Sequence, residues 1–344
     1  MKAREGSPYL SGLGREGRKQ DEETLLDWIV HLSHVQKRSE GTIRGKLMAV
    51  RHYHIAAGFP DPLELAPRLA LALGGLRRMG AKQNRKYPVT VEMMLWLHKK
   101  LDTGSVGDAA RWAALTTAFF FMLRASEYLA DAAGGRAWAA DRVLFGRDVI
   151  ARKEGAVSTT FASADEVVIY IKGSKTDQYN FGCCRNHYAT GNLLCPVKAL
   201  ANLERVAPQR WTAESDEPLF RDENGSPLRR QDITSLLSQA AEAVGIHASH
   251  IGSHSLRVGG ATAMYHAVPD LERLKRFGRW KSGAFHVYLW EAHEPQKGLS
   301  EAMSAQSYEL TLGSTNKLKR REIGERKRSV RFKDEPPEEH PPAK

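Results

Sequence analysis

"GSHSLRVGGATAMYHA" occupies Gly252–Ala267, and its reading decides what the rest of the chain must be. Serine and glycine precede an apolar run, which suits the start of a helix. If a helix begins there, His254 and Arg257, three residues apart, share one face. Gly259, Gly260 and Ala261 follow, and side chains this small let another backbone, or a DNA strand, approach closely. A histidine and an arginine presented together over such a surface suit an anionic group. Because H-x-x-R arises by chance in many chains, its weight depends on what surrounds it.

Downstream, "VPDLERLKRFG" (Val268–Gly278) predicts a helix opened by Pro269 and closed by Gly278, with Leu271, Leu274 and Phe277 inward. It turns the chain back so that Trp280, in "GRWKSGAFHVYLW" (Gly278–Trp290), faces the His254–Arg257 pair. Ser282 is placed to cap the segment that carries Tyr288. Upstream, "AARWAALTTAFFFMLRASEYLA" (Ala109–Ala130) predicts a helix buried on most of its surface that ends near Arg124, with Glu127 three residues on as its ion-pair partner. In "EVVIYIKGSKTDQYNFGCCRNHYA" (Glu166–Ala189), Val167–Ile171 are strand formers and Gly173–Ser174 a turn. This predicts a β-hairpin with Lys175 at its bend and Lys172 as the alternative lysine. The Gly/Ala-rich stretch from Ala130 to Gly155 has no clear pattern.

Two arginines, a lysine, a histidine and a tyrosine suit attack on a phosphodiester without a metal. Fixed guanidinium groups, Arg124 and Arg257, stabilise negative charge on the non-bridging oxygens of the transition state. His254 accepts or relays the nucleophile's proton, and a lysine on a hairpin gives one to the leaving 5′-oxygen. Tyr288 then forms a covalent phosphotyrosine.

Composition fits this chemistry. The 344 residues carry a net charge of +11, which favours polyanionic partners, and their 42% hydrophobic content is ordinary for globular domains. No apolar run reaches membrane-span length, and the N-terminal residues lack the apolar core of a secretory signal. Cys183, Cys184 and Cys195 make no disulfide framework. With His187 they also make a poor zinc site, since adjacent strand residues point to opposite faces; no metal or other cofactor is expected. The charge concentrates in residues 316–333, where nine Lys/Arg face two Glu, ahead of an acidic end. This tail reads as solvated chain, or alternatively as a nuclear-targeting or DNA-anchoring segment.

The chain divides by pattern into a disordered lead (1–20), a small helical domain (21–80), a basic linker (81–88), a larger domain (89–296) and the tail (297–344). In the small domain Leu25, Leu26, Trp28, Ile29 and Leu32 recur at helical spacing, as do Ile43, Leu47, Val50 and Tyr53. Lys37, Arg38, Arg44, Lys46, Arg51 and His52 would lie on its exposed face, either solvated or against DNA, and Arg85 and Lys86 in the linker could follow a phosphate backbone.

Taken together, the chain from Asp21 to Glu294 resembles the tyrosine recombinases, the phage-integrase type of DNA strand-exchange enzyme. "LRASE" is similar to that family's first arginine motif, "HSLRVGGATA" to its histidine–arginine box, and "GRWKSGAFHVY" to the box holding a histidine or tryptophan and the nucleophile. "GSKTDQ" and "GRWKS" look most like the recombinases of cryptons and DIRS-like elements. The resemblance implies a mainly α fold with a small antiparallel β-sheet, built as a helical core-binding domain plus a catalytic domain. It also implies cleavage of double-stranded DNA to a 3′-phosphotyrosine, without metal or nucleotide, in a tetramer on DNA formed from free monomers or dimers. The location is nuclear if the source is eukaryotic and cytoplasmic otherwise. Arg124, Lys175, His254, Arg257, Trp280 and Tyr288 map to the catalytic positions, with Glu127 in support. Trp280 to Tyr288 is eight residues where many members have nine, which makes Arg279 an alternative occupant and a candidate DNA contact. Tyr308, in "SAQSYELTLGS", lacks the preceding arginine–tryptophan turn. The competing readings are a DNA-binding protein that no longer cleaves, a type IB topoisomerase and an RNA-binding helical protein.

Overall fold

The computed structural model describes Leu10 and residues 14–64, 66–80, 85–130, 142–173, 177, 179–212 and 215–290. Three helices come first: α1 (Gly14–Val30), running into a wider turn at His31–Val35, α2 (Glu40–Ala56) and α3 (Pro67–Met79). Ser39 starts α2 by accepting a hydrogen bond from the Thr42 amide at 3.4 Å, and Pro67 opens α3. Leu25, Ile29, Leu32, Ile43, Leu47, Leu69 and Leu73 form a core of their own, joined by Leu10.

Order begins earlier than the pattern suggests. α1 starts at Gly14, inside the stretch expected to be disordered through residue 20, because side chains on both sides anchor it. The His54 ring bonds the Leu10 carbonyl at 2.8 Å, and the Glu22 carboxylate accepts the Arg68 amide at 2.8 Å. Tyr53 continues the apolar spacing of α2 but is 74% exposed, edge-on to the His52 ring rather than in the core.

The second hydrophobic core is larger and spans Val89–Leu256. The segment from Arg85 docks on it as extended chain: the Tyr87 amide donates to the His250 carbonyl at 2.8 Å and the Val89 amide to the Ser255 carbonyl at 3.0 Å. Thr90 caps α4 (Val91–Lys100) and Ser105 caps α5 (Val106–Phe120). α5 is the central rod, buried along most of its length as the sequence predicts, because alanines at 109, 110, 113, 114 and 118 let neighbours close in on every side. It packs against α4, the short α6 (Ala125–Tyr128), α7 (Pro196–Val206) and α9 (Ser255–Ala267), while α8 (Arg230–Ala243) covers α4.

A four-stranded antiparallel sheet lies beside these helices, in the order β2-β1-β3-β4: β1 (Val149–Lys153), β2 (Ala156–Val157), β3 (Glu166–Ile171) and β4 (Cys183–Tyr188). The expected hairpin is β3–β4, in register from Glu166 opposite Tyr188 to Ile171 opposite Cys183. β1 comes from the end of the stretch without a clear pattern, and β2 follows directly after it. They join at Glu154–Gly155, both with positive φ (50° and 81°), the geometry of the tightest hairpin turn. Along β4 burial alternates, so Cys183 is half-buried and Cys184 exposed, as adjacent strand residues must be.

α9 runs close to two other backbones. A Cβ on Gly259 would collide with the Val89 carbonyl oxygen, and one on Gly260 with that of Phe119. The small-residue run therefore serves the chain's own packing. After α9, Asp270 caps α10 (Leu271–Phe277) by accepting the Arg273 amide at 2.9 Å, and Gly278 ends it. Only seven residues long, α10 buries Leu274 fully and Phe277 in part, whereas Leu271, expected inward, is 37% exposed. Gly260→Ala should destabilise the protein by about 1–3 kcal/mol in equilibrium urea unfolding, since α9 would have to lift off α5; a change within about 0.5 kcal/mol, ordinary for a surface site, contradicts the close approach.

Candidate active site

α5 ends in a tight corner at Phe121–Leu123, where Met122 takes a left-handed conformation (φ 49°), and two carbonyls there become acceptors for arginines. Arg257, in the first turn of α9, extends under this corner. Its Nη1 donates to the Met122 carbonyl and its Nη2 to the Gly278 carbonyl. The side chain is 1% exposed. The Trp280 ring lies 4.4 Å from its guanidinium carbon and the Tyr288 ring 6.0 Å. Burial and the charges of Arg279 and Arg124 push its pKa down to about 9, which leaves it charged at neutral pH.

Arg124 precedes α6, and Glu127 on that helix folds back to it: Arg124 Nη1 to Glu127 Oε1 is 2.9 Å, and the Arg124 amide reaches Oε2 at 2.9 Å. The expected i, i+3 ion pair is present, but Glu127 does more. Its side chain is 1% exposed and also receives Arg279 Nη2 at 2.7 Å. Arg279, at a left-handed φ of 62°, completes its contacts with the carbonyls of Phe121 and Met122, both at 3.3 Å. That arrangement corrects its reading as a DNA contact. The guanidinium is committed to a buried carboxylate and two carbonyls. Burial is the main influence on its pKa and lowers it, against the pull of Glu127.

His254 sits just before α9, with its ring 5.1 Å from that of Tyr288 in an edge-on contact. Burial lowers its pKa, and the charges of Arg257, Arg124 and Arg230 lower it further. The imidazole is neutral at physiological pH and able to accept a proton. Tyr288 ends a short tight helix (Gly283–Tyr288) that Ser282 caps, as the sequence predicts, through the Ala284 amide at 3.3 Å. The Tyr288 and Trp280 rings are 5.3 Å apart. Thr262 of α9 fixes the chain here: its hydroxyl donates to the Tyr288 carbonyl at 3.0 Å and accepts the Trp290 amide at 3.4 Å.

The structure thus brings Arg124, Glu127, His254, Arg257, Trp280 and Tyr288 together. Lys175 lies outside the described residues, as do Tyr308 and the tail. Gly173 and Asp177, on either side of the lysine's turn, line a cavity together with Arg279 and Trp280. Lys172, the alternative, is paired with Asp148 at 2.9 Å and lies over the Phe145 ring.

Arg85 and Lys86, expected to follow a phosphate backbone, are exposed and also bonded within the chain. Arg85 donates to the Leu289 carbonyl at 2.5 Å and lies over the Trp290 ring, while Lys86 donates to the Ser249 carbonyl at 2.7 Å. They are held by acceptors of the chain itself. Lys37, Arg38, Arg44, Lys46 and Arg51 are exposed on and before α2, with Arg44 paired to Glu40 and Arg51 to Asp61. Sequence reasoning missed Thr262 and Arg230. Thr262 was inside the stretch that decided the fold, but nothing in its spacing marks a hydroxyl that grips a segment 26 residues away.

Residues 167–288, from β3 to Tyr288, match the phage integrase family. That match covers about a third of the chain, and over it the chain is similar to that family. Its fold is that of the XerH site-specific recombinase in a post-cleavage complex with palindromic difH substrate, at a TM-score of 0.51 and 15% identity over 83% of this chain and 71% of that one. XerH in its pre-cleavage complex (TM-score 0.48, 16% identity, 88% and 74% covered) and the Tn1549 transposon integrase with transposon right end DNA (TM-score 0.49, 13% identity, 88% and 96% covered) are also similar. No curated protein sequence matches the chain. The fold, mainly helical with a small antiparallel sheet, is thus the one that the XerH recombinase has.

Two measurements probe this site. Glu127→Ala leaves Arg279 buried without its counter-charge and should cost about 3–5 kcal/mol of stability in urea unfolding; a loss under about 1 kcal/mol, typical of exposed pairs, would mean that Glu127 does not hold the site. Because the folded pKa of His254 lies below the ordinary 6.5, its contribution to stability is complete above that pH and is lost as pH falls through the folded value. An NMR titration should place the His254 midpoint below 6.5, and a midpoint above 6.5 contradicts the desolvated, cation-flanked environment.

Proposed function

We propose that the chain is a DNA strand transferase that cuts and rejoins duplex DNA through Tyr288. The observation that carries this reading is the convergence of a tyrosine, a neutral histidine and two arginines, drawn from three separate segments, around one point. In the reaction the Tyr288 oxygen attacks a backbone phosphorus while His254 accepts the phenolic proton. Arg257 and Arg124 hold the non-bridging oxygens as charge builds. The bond to the 5′-oxygen breaks and that oxygen takes up a proton, for which Lys175 is the assigned donor. A 3′-phosphotyrosine and a 5′-hydroxyl result. Attack by a second 5′-hydroxyl reverses the steps on a new strand and releases Tyr288. Phosphodiester energy is conserved throughout, so neither nucleotide nor metal enters the balance.

The Trp280 and Tyr288 rings cover Arg257, so a phosphate reaches its guanidinium only when the Tyr288 segment shifts. DNA binding supplies that shift in this reading. Exchange between two sites in a tetramer, integration or excision of a mobile element of crypton or DIRS-like type, and action in a nucleus are parts of the same proposal, as is DNA binding by the three-helix unit. A non-cleaving DNA-binding protein is the alternative that a single experiment separates. Wild-type and Tyr288→Phe protein are incubated, without divalent metal, with a library of nicked duplexes and then denatured. A covalent protein–DNA adduct is expected on wild type alone; DNA binding without adduct on any duplex supports the non-cleaving reading.

A further inference from the structure

Beside the tyrosine site lies a cavity of about 260 Å³ to whose described lining the expected catalytic residues contribute Trp280 alone. One wall is the turn end of the β3–β4 hairpin and the other is α10 with the chain that follows it. Among the described residues five cationic side chains line it, Arg185, Lys275, Arg276, Arg279 and Lys281, against one carboxylate, Asp177. That carboxylate is already engaged, accepting the amides of Phe181 at 3.3 Å and Gly182 at 2.9 Å.

The five cations divide by what holds them. Arg279 is tied to Glu127, and Arg185 donates to the carbonyls of Phe277 at 3.0 Å, Arg276 at 2.6 Å and Cys184 at 2.6 Å, satisfying the carbonyl end of α10. Lys275 has only a long contact, 3.6 Å, to an exposed Glu272. Arg276 and Lys281 are exposed and have no side-chain partner among the described residues. Two guanidinium groups in the lining are thus tied to the chain, and beside them Arg276 and Lys281 are exposed to solvent. Such an arrangement attracts a negative group and leaves its charge uncompensated until one arrives.

Trp280 belongs to this cavity and also packs 5.3 Å from the Tyr288 ring, so the two sites share a wall. A DNA strand carries one charge per roughly 3.4 Å of rise, so a strand with one phosphate at Tyr288 must bring its neighbours past this wall. We propose that the cavity is a second phosphodiester subsite, which grips a backbone phosphate next to the one that Tyr288 attacks, through Arg276 and Lys281. This rests on the recombinase reading for the position of the strand, and it adds a source of affinity outside the catalytic positions. Bound there, the strand fixes the register of the attacked phosphate, and its charge is met by side chains that take no part in the bond exchange.

The test compares wild type, Arg276→Gln/Lys281→Gln and a charge-matched control, Lys99→Gln/Lys100→Gln on exposed positions of α4. Affinity for a fluorescent random-sequence duplex is measured across a salt series without divalent metal. The cavity variant should lower the slope of log K against log salt by about 1.8, two contacts at roughly 0.9 each, with the control at the wild-type slope. A cavity variant that keeps the wild-type slope, or loses no more than the control, overturns the proposal. So does an unchanged DNA slope with loss of inorganic phosphate binding, which would make the cavity a free-anion site. On a duplex that traps covalently, a neutral methylphosphonate beside the cleaved position should weaken binding by wild type and not by the cavity variant; equal weakening of both overturns the assignment. The slope needs no cleavage, so absence of an adduct with wild type would count against the recombinase reading alone.

Discussion

The Glu127 carboxylate is the interaction on which the site depends. Arg124, Arg257 and Arg279 are brought so close that the charges of Arg279 and Arg124 lower the pKa of Arg257, and guanidinium groups assembled in a poorly solvated place repel strongly. One fully buried carboxylate, bonded to Arg124 and Arg279 at once, offsets that repulsion. The carbonyls of Phe121, Met122 and Gly278 accept further hydrogen bonds from Arg257 and Arg279. Positive charge is thus fixed in place before any anion arrives, and an anion reaches Arg257 once the Trp280 and Tyr288 rings that cover it move aside.

The rest of the fold delivers the pieces to that point. α5, dense with alanine, carries the corner whose carbonyls receive the arginines. α9 can lie against α5 because Gly259 and Gly260 have no Cβ, and that contact sets the depth of Arg257. α10 and the capped turn after it fold Trp280 and Tyr288 over the guanidinium, and Thr262 ties the chain to α9 on both sides of Leu289. The hairpin then closes the open side with a cation-lined cavity.

Much of this was legible in the sequence. Helical spacing, the buried α5, the β3–β4 hairpin, the cap at Ser282 and the meeting of Arg124, His254, Arg257, Trp280 and Tyr288 all follow from local patterns with strong physical causes. What was not legible depends on distant partners. The order of residues 14–20 comes from contacts of Leu10 and Glu22 with α2 and α3, and the turn between β1 and β2 rests on a single Glu–Gly pair. Arg279 read as a surface cation because a basic residue in a polar stretch gives no sign that a buried carboxylate from elsewhere will claim it. Glu127 was visible as a neighbour of Arg124, yet its second arginine lies 152 residues away.

The account stands or falls on which atom takes the phosphate. The most direct measurement is to digest a trapped protein–DNA adduct with nuclease and protease and to locate the residual nucleotide by mass spectrometry. The account predicts a nucleotide joined through its 3′-phosphate to the peptide containing Tyr288 and to the phenolic oxygen of that residue. A nucleotide on Tyr308 or any other side chain, or one joined through a 5′-phosphate, would contradict it.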